Sequence, residues 1–170
     1  MITPEYVRTM ARYNRWQNGS LYGAADTLSD GDRKRERGAF FGSIHGTLAH
    51  LMFGDGIWLS RFAADDSFKP LAKSIPESPS AFPDWGALKA ARIALDARII
   101  GWADAISPAD LDGDLTWYSG AMKATVTRPR VLLISHFFNH QTHHRGQVHA
   151  MLTAAGAKPD DTDLMIAPQG

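Results

Sequence analysis

The segment from Thr127 to Ala155 constrains the fold more than any other part of the chain. It opens near Thr127 and Pro129 as a helix, runs to Ala155 and ends at Gly156, a C-cap residue, with Pro159 as a stop. Inside it, the stretch HFFNHQTHHRGQVH from His136 to His149 carries five of the seven histidines. At about 100° per residue with His136 at zero, His143 falls at about −20°, His140 at about 40° and His144 at about 80°. Four imidazoles therefore share one arc, and His149 points elsewhere. Val131, Leu132, Ile134, Phe138 and Met151 are spread more widely, so this helix is expected to bury most of its circumference. Each buried neutral ring needs partners for both nitrogens, and charging it in a core is costly. A divalent cation satisfies several such nitrogens at once.

Three further helices are expected. Thr3 and Pro4 start the first, over roughly residues 4–28, with Tyr6, Met10, Tyr13 and Leu21 near helical spacing. SDGDRKRERG, from Ser29 to Gly38, reads as a solvated connector. The second helix spans Ser43 to Phe62, with an apolar stripe at Ile44, Leu48, Leu51, Leu59 and Phe62 and three internal glycines that weaken it unless close packing requires them. A Pro- and Ser-rich surface loop follows. Asp84 caps a third helix with Leu88, Ile93, Leu95, Ile99 and Trp102 on its apolar side. Residues near 115–126 break the helical period and suit either a short hairpin or an irregular crossover. The expected fold class is all-α: a four-helix bundle with one long crossover, in a single domain over residues 1–170.

Composition narrows the chemistry. Lys plus Arg equals Asp plus Glu, 18 each, so nothing favours binding to nucleic acid. With no cysteine, any metal must be held by His, carboxylate or backbone. No apolar run reaches the ~18 residues that span a bilayer, and the N-terminal MITPEYVRTMARYNRW lacks a signal-peptide core. A cytoplasmic protein without membrane contact is expected.

Spacing leaves the ligand set open. His136/His140 and His140/His144 are both i,i+4 pairs, able to share an ion at ~2.0–2.1 Å bonds. His45 and His50 on the second helix face about 140° apart, so at most one of them joins the same ion. Gln141 stands where a zinc peptidase of the H-E-x-x-H type carries its general base, and Gln cannot take a proton. The three glutamates, Glu5, Glu36 and Glu77, are remote from the cluster, which argues against a carboxylate-bridged di-iron bundle. Arg61, on the same face as His50, is the best-placed anion binder. Asp55 reads as a cap or surface ion pair, Tyr13, Trp16 and Trp58 as core, and Gly146 as a point of close helix approach.

SIHGTLAHLMFGDGIWL on the second helix, followed far downstream by HFFNHQTHHRGQVHAMLTAAG, resembles the DinB/YfiT-like family of inferred metalloenzymes, which is not the translesion polymerase sharing the name. YNRWQN at Tyr13–Asn18 and PDDTDLM after the last helix extend the resemblance over nearly the whole chain. The resemblance implies a four-helix bundle, usually a homodimer, with a divalent metal held by three histidines. Carried over by position, the ligands are His50, His140 and His144. His143 is then a neighbour, His136 lines the cavity, and Arg145 and Gln147 orient ligands or anchor the dimer.

Three neutral imidazoles leave a coordination position open, the arrangement of a catalytic metal site. The expected function is a metal-dependent enzyme acting on a small molecule, of thiol S-transferase or hydrolase type. Related families use such bundles with low-molecular-weight thiols. Zinc or nickel is the expected ion. The alternative is a non-catalytic metal-binding or stress-response protein on the same scaffold.

Overall fold

The computed structural model describes residues 2–167. It is mostly helical, with one two-stranded sheet. Helix α1 (Pro4–Asp26) begins where the Thr3 hydroxyl accepts the Tyr6 amide at 3.2 Å. A single-turn α2 (Asp30–Lys34) follows. Helix α3 (Ile44–Ala63) is capped by Ser43, whose Oγ accepts the Gly46 amide at 3.0 Å. Helix α4 (Trp85–Ala105) starts at Asp84, whose carboxylate accepts the Ala87 amide at 2.7 Å. The short α5 (Pro108–Leu111) leads into an antiparallel hairpin, β1 (Asp114–Ser119) with β2 (Ala124–Pro129), and then α6 (Arg130–Ala154). Thr127 thus belongs to the hairpin rather than to the last helix.

The long helices pack in a ring: α1 touches α4 and α6, and α3 touches the same two. Side-chain pairs set the directions. Arg12 with Asp104 and Asn18 with Asp96 make α1 and α4 antiparallel. Asp55 with Arg92 and Phe62 with Trp102 make α3 and α4 parallel. Parallel neighbours about 30 Å long cannot be joined by a tight turn. Residues 64–84 therefore run back along the helices, and the two 3₁₀ turns at Asp66–Phe68 and Ser78–Ser80 pack onto α3. That return explains a glycine in α3: a Cβ on Gly56 would lie 2.8 Å from the Phe68 carbonyl oxygen.

Leu48, Leu59, Leu88, Ile99, Ile134 and Phe137 are fully enclosed between the helices. A polar network crosses this core. Arg92 meets Asp55 at 2.7 Å and Asp96 at 2.8 Å, Asn18 donates to Asp96, and Gln141 Nε2 donates to Asp55 at 3.0 Å. Arg145 donates to the side chain of Asn14. All four long helices contribute to it, and its two arginines balance its two aspartates.

Asp55 is not at the surface: it is buried, because Arg92 and Gln141 supply the partners that a buried carboxylate requires. The connector after α1 is not fully solvated, since Arg33 is buried, stacks over Trp85 and donates to the Ala25 and Leu28 carbonyls. Ile93 and Leu132 are exposed, because the polar network takes up core positions of α4 and α6 that a purely apolar stripe would have filled. Gly146 is exposed and, among the described residues, nothing lies within 4 Å of where a Cβ would be, so no other helix of this chain packs against it. Among the described residues, no helix is long and apolar enough to cross a membrane.

Candidate metal centre

Helices α3 and α6 run antiparallel, and their contacts step along both: His50 against His144 and His140, Gly54 against His140, Trp58 against His136. Glycine at position 54 is what allows the second step. A Cβ there would lie 2.7 Å from His140 Cε1. The His140 ring therefore lies over the α3 backbone and reaches His50.

His50, His140 and His144 each offer a ring nitrogen, and these atoms all lie within 4.8 Å of one another. His50 Nε2 and His140 Nε2 are 3.3 Å apart. Two donors of a tetrahedral site with ~2.0–2.1 Å bonds stand roughly 3.3–3.4 Å apart. Such a group could hold a metal ion.

The other ring nitrogens explain how two of these imidazoles are held. Ser78 Oγ donates to the Ile75 carbonyl at 2.7 Å, which leaves it to accept from His50 Nδ1–H at 2.9 Å. His144 Nδ1–H donates to Gln147 Oε1 at 2.8 Å, and Gln147 Nε2 donates in turn to His143 Nε2 at 3.2 Å. Both bonds place the proton on Nδ1 and leave Nε2 as a bare lone pair, the usual way a ligating histidine is oriented. Burial, reinforced by the neighbouring rings, pulls His50 down to about 3 and His140 down to about 4. His144 is lowered too, chiefly by burial. All three rings are neutral at physiological pH, as metal ligands must be.

Phe41 covers the group from the α2–α3 connection. Its ring stacks on His50 at 3.7 Å between centroids and lies 5.4 Å from His144. The opposite end is lined by His136, 5.8 Å from His140, and by Trp58, 5.3 Å from His136.

The remaining histidines do other things. His45 faces away from the cluster, bonded through Nε2 to the Phe82 carbonyl beside Trp85. His143 is exposed and borders the group, its ring edge-on to His144 at 4.8 Å and its Nε2 accepting from Gln147. Gln147 holds a ligand-type ring, whereas Arg145 lies in the core network and Asn14 serves that network rather than a cavity. Gln141 points away from the cluster to Asp55. Ser78 and Phe41 escaped the sequence reading, because each lies in a connection whose course is fixed only by tertiary packing.

The chain is 27% identical over 164 residues to Protein DinB of Bacillus subtilis (strain 168), an alignment covering 94% of this chain and 91% of that protein. Residues 1–169 match the DinB family profile, and the chain belongs to the DinB family.

Proposed function

We propose that this chain is a divalent-metal-dependent enzyme acting on a small molecule, built as a single four-helix-bundle domain and working as a homodimer. His50, His140 and His144 are its metal ligands, and zinc or nickel its ion. The observation that carries this reading is the convergence of three neutral imidazoles from two helices, two of them with Nδ1 engaged and Nε2 free. When bound, such an ion lowers the pKa of a coordinated water toward ~7 or deprotonates a coordinated thiol.

Transfer of a low-molecular-weight thiol fits better than hydrolysis. Among the described residues no carboxylate joins the three-histidine group. Asp55 is committed to Arg92 and Gln141, and Gln141 cannot act as a base. Nothing is therefore poised to take a proton from water, and three neutral ligands favour an anionic fourth partner. The same lack of a base supports the second reading, a metal-binding protein without catalysis.

Metal content of untagged protein, measured by mass spectrometry beside His140→Ala and His144→Ala, tests the proposal. About one transition-metal ion per chain, lost in both variants, is expected. No ion in wild type, and none taken up at micromolar supply, would overturn it. If metal binds but a screen of thiol-transfer and hydrolytic substrates finds no turnover, the non-catalytic reading replaces the enzyme.

A further inference from the structure

Arg61 lies on the His50 face of α3, beyond Trp58. Its guanidinium stacks on Trp58 at 4.8 Å and on Trp117 of the hairpin at 5.4 Å. The other arginines drawn into the fold all donate to oxygen: Arg33 to carbonyls, Arg92 to Asp55, Arg145 to Asn14. Arg61 is half-buried and, among the described residues, has no carboxylate partner and no hydrogen-bond acceptor, only the two indole faces. Burial without a counter-charge lowers its pKa.

Stacking holds the guanidinium in place while its N–H groups remain unused. Those are the groups that bind carboxylate or phosphate in a fork. A continuous wall leads from this cation to the histidine group: Trp117 on Trp58 at 5.5 Å, Trp58 on His136 at 5.3 Å, His136 on His140 at 5.8 Å. Gly54, against which the His140 ring lies, and Arg61 are two helical turns apart, about 10 Å, and the Arg61 side chain leans back toward the N-terminus of α3.

We infer that Arg61, clamped between Trp58 and Trp117, is the specificity determinant for a small-molecule substrate bearing a carboxylate or phosphate at the end remote from its reacting group, with His136 and Trp58 lining the path between. The inference rests on the metal-dependent reading and names the substrate class for that same site.

The test compares 6-mercaptohexanoate with the neutral 6-mercaptohexanol, titrated into cobalt-loaded wild type, Arg61→Gln and Arg61→Lys. Thiolate binding is read from the cobalt absorption band. In wild type the carboxylate is expected to bind about tenfold more tightly or better. Arg61→Gln removes that advantage and leaves affinity for the neutral thiol, and the cobalt spectrum, unchanged. Arg61→Lys keeps part of it, having the charge without the fork. Equal affinities in wild type, or an advantage that persists in Arg61→Gln, overturn the inference while the metal reading stands. If neither cobalt nor zinc nor nickel loads, the metal reading fails separately. Tryptophan quenching by hexanoate against hexanol in the metal-free protein then decides Arg61 by the same comparison.

Discussion

A methyl group added at Gly54 would sit 2.7 Å from His140 Cε1, so the His140 ring would have to leave its place over α3. Gly54→Ala is therefore expected to weaken metal binding by at least about tenfold, the scale seen when the groups that support ligands are disturbed. Thermal unfolding of the metal-free protein is expected to change little, because Ala gains about 1 kcal/mol of helix propensity against the local clash. Gly146→Ala is the contrasting case. It is exposed, with nothing within 4 Å, and is expected to raise stability by up to about 1 kcal/mol without touching metal affinity. Titration calorimetry with zinc beside melting curves separates the two. If Gly54→Ala binds zinc like wild type, the close approach of His140 to α3 has no bearing on the site. Helical spacing could not distinguish these two glycines, since the difference between them lies wholly in what the neighbouring helix brings.

At the scale of elements, the crossover is more than a tether. It places Ser78, fully buried, against His50 Nδ1, and the same hydroxyl anchors itself on Ile75. Ser78→Ala leaves that N–H without an acceptor and frees the ring to rotate. Metal affinity is expected to fall by about 10–100-fold while far-UV circular dichroism stays at the wild-type level; unchanged affinity would assign Ser78 to packing alone. Three helix ends were legible because their signals are local: Thr3 with Pro4, Asp84 and Gly156 act where the sequence put them, whereas the Thr127 and Pro129 signal for α6 falls in β2. The break in period around Gly120 was legible too, although it left a hairpin and an irregular crossover open until the strand pairing decided between them. The crossover from α3 to α4 was not legible. Its Pro and Ser residues look like any surface loop, and only the parallel run of α3 and α4 forces it along the bundle.

The whole molecule keeps two kinds of buried polarity, one neutral and one ionic. The candidate ligand histidines could be narrowed to a face from periodicity, but the choice of His50 over His45, and of His140/His144 over His136/His140, needed the resemblance; the structure brings ring nitrogens of His50, His140 and His144 within 4.8 Å of one another. The ionic network was invisible, because Asp55, Arg92 and Asp96 are distant in sequence and each alone reads as surface. The neutral histidines have a consequence for stability that the network does not share. In the unfolded chain a histidine takes up its proton around pH 6.5. In the folded metal-free protein His50 and His140 do so only at about 3 and 4, with burial the main cause. As pH falls below 6.5 the unfolded state thus binds protons that the folded state refuses, and stability falls by up to about 1.4 kcal/mol per pH unit for each such group. Asp96 works in the opposite sense, because burial raises its carboxyl and folding then favours its protonated form, but it acts nearer the carboxylate range. Urea midpoints of metal-free protein are therefore expected to drop steadily from pH 7 to pH 5. In a His50→Gln/His140→Gln double variant that slope should flatten without vanishing, since burial also lowers His45, His136 and His144. An equal slope in both proteins would mean that the two rings are already solvated, and that the pocket around them opens when the metal is absent.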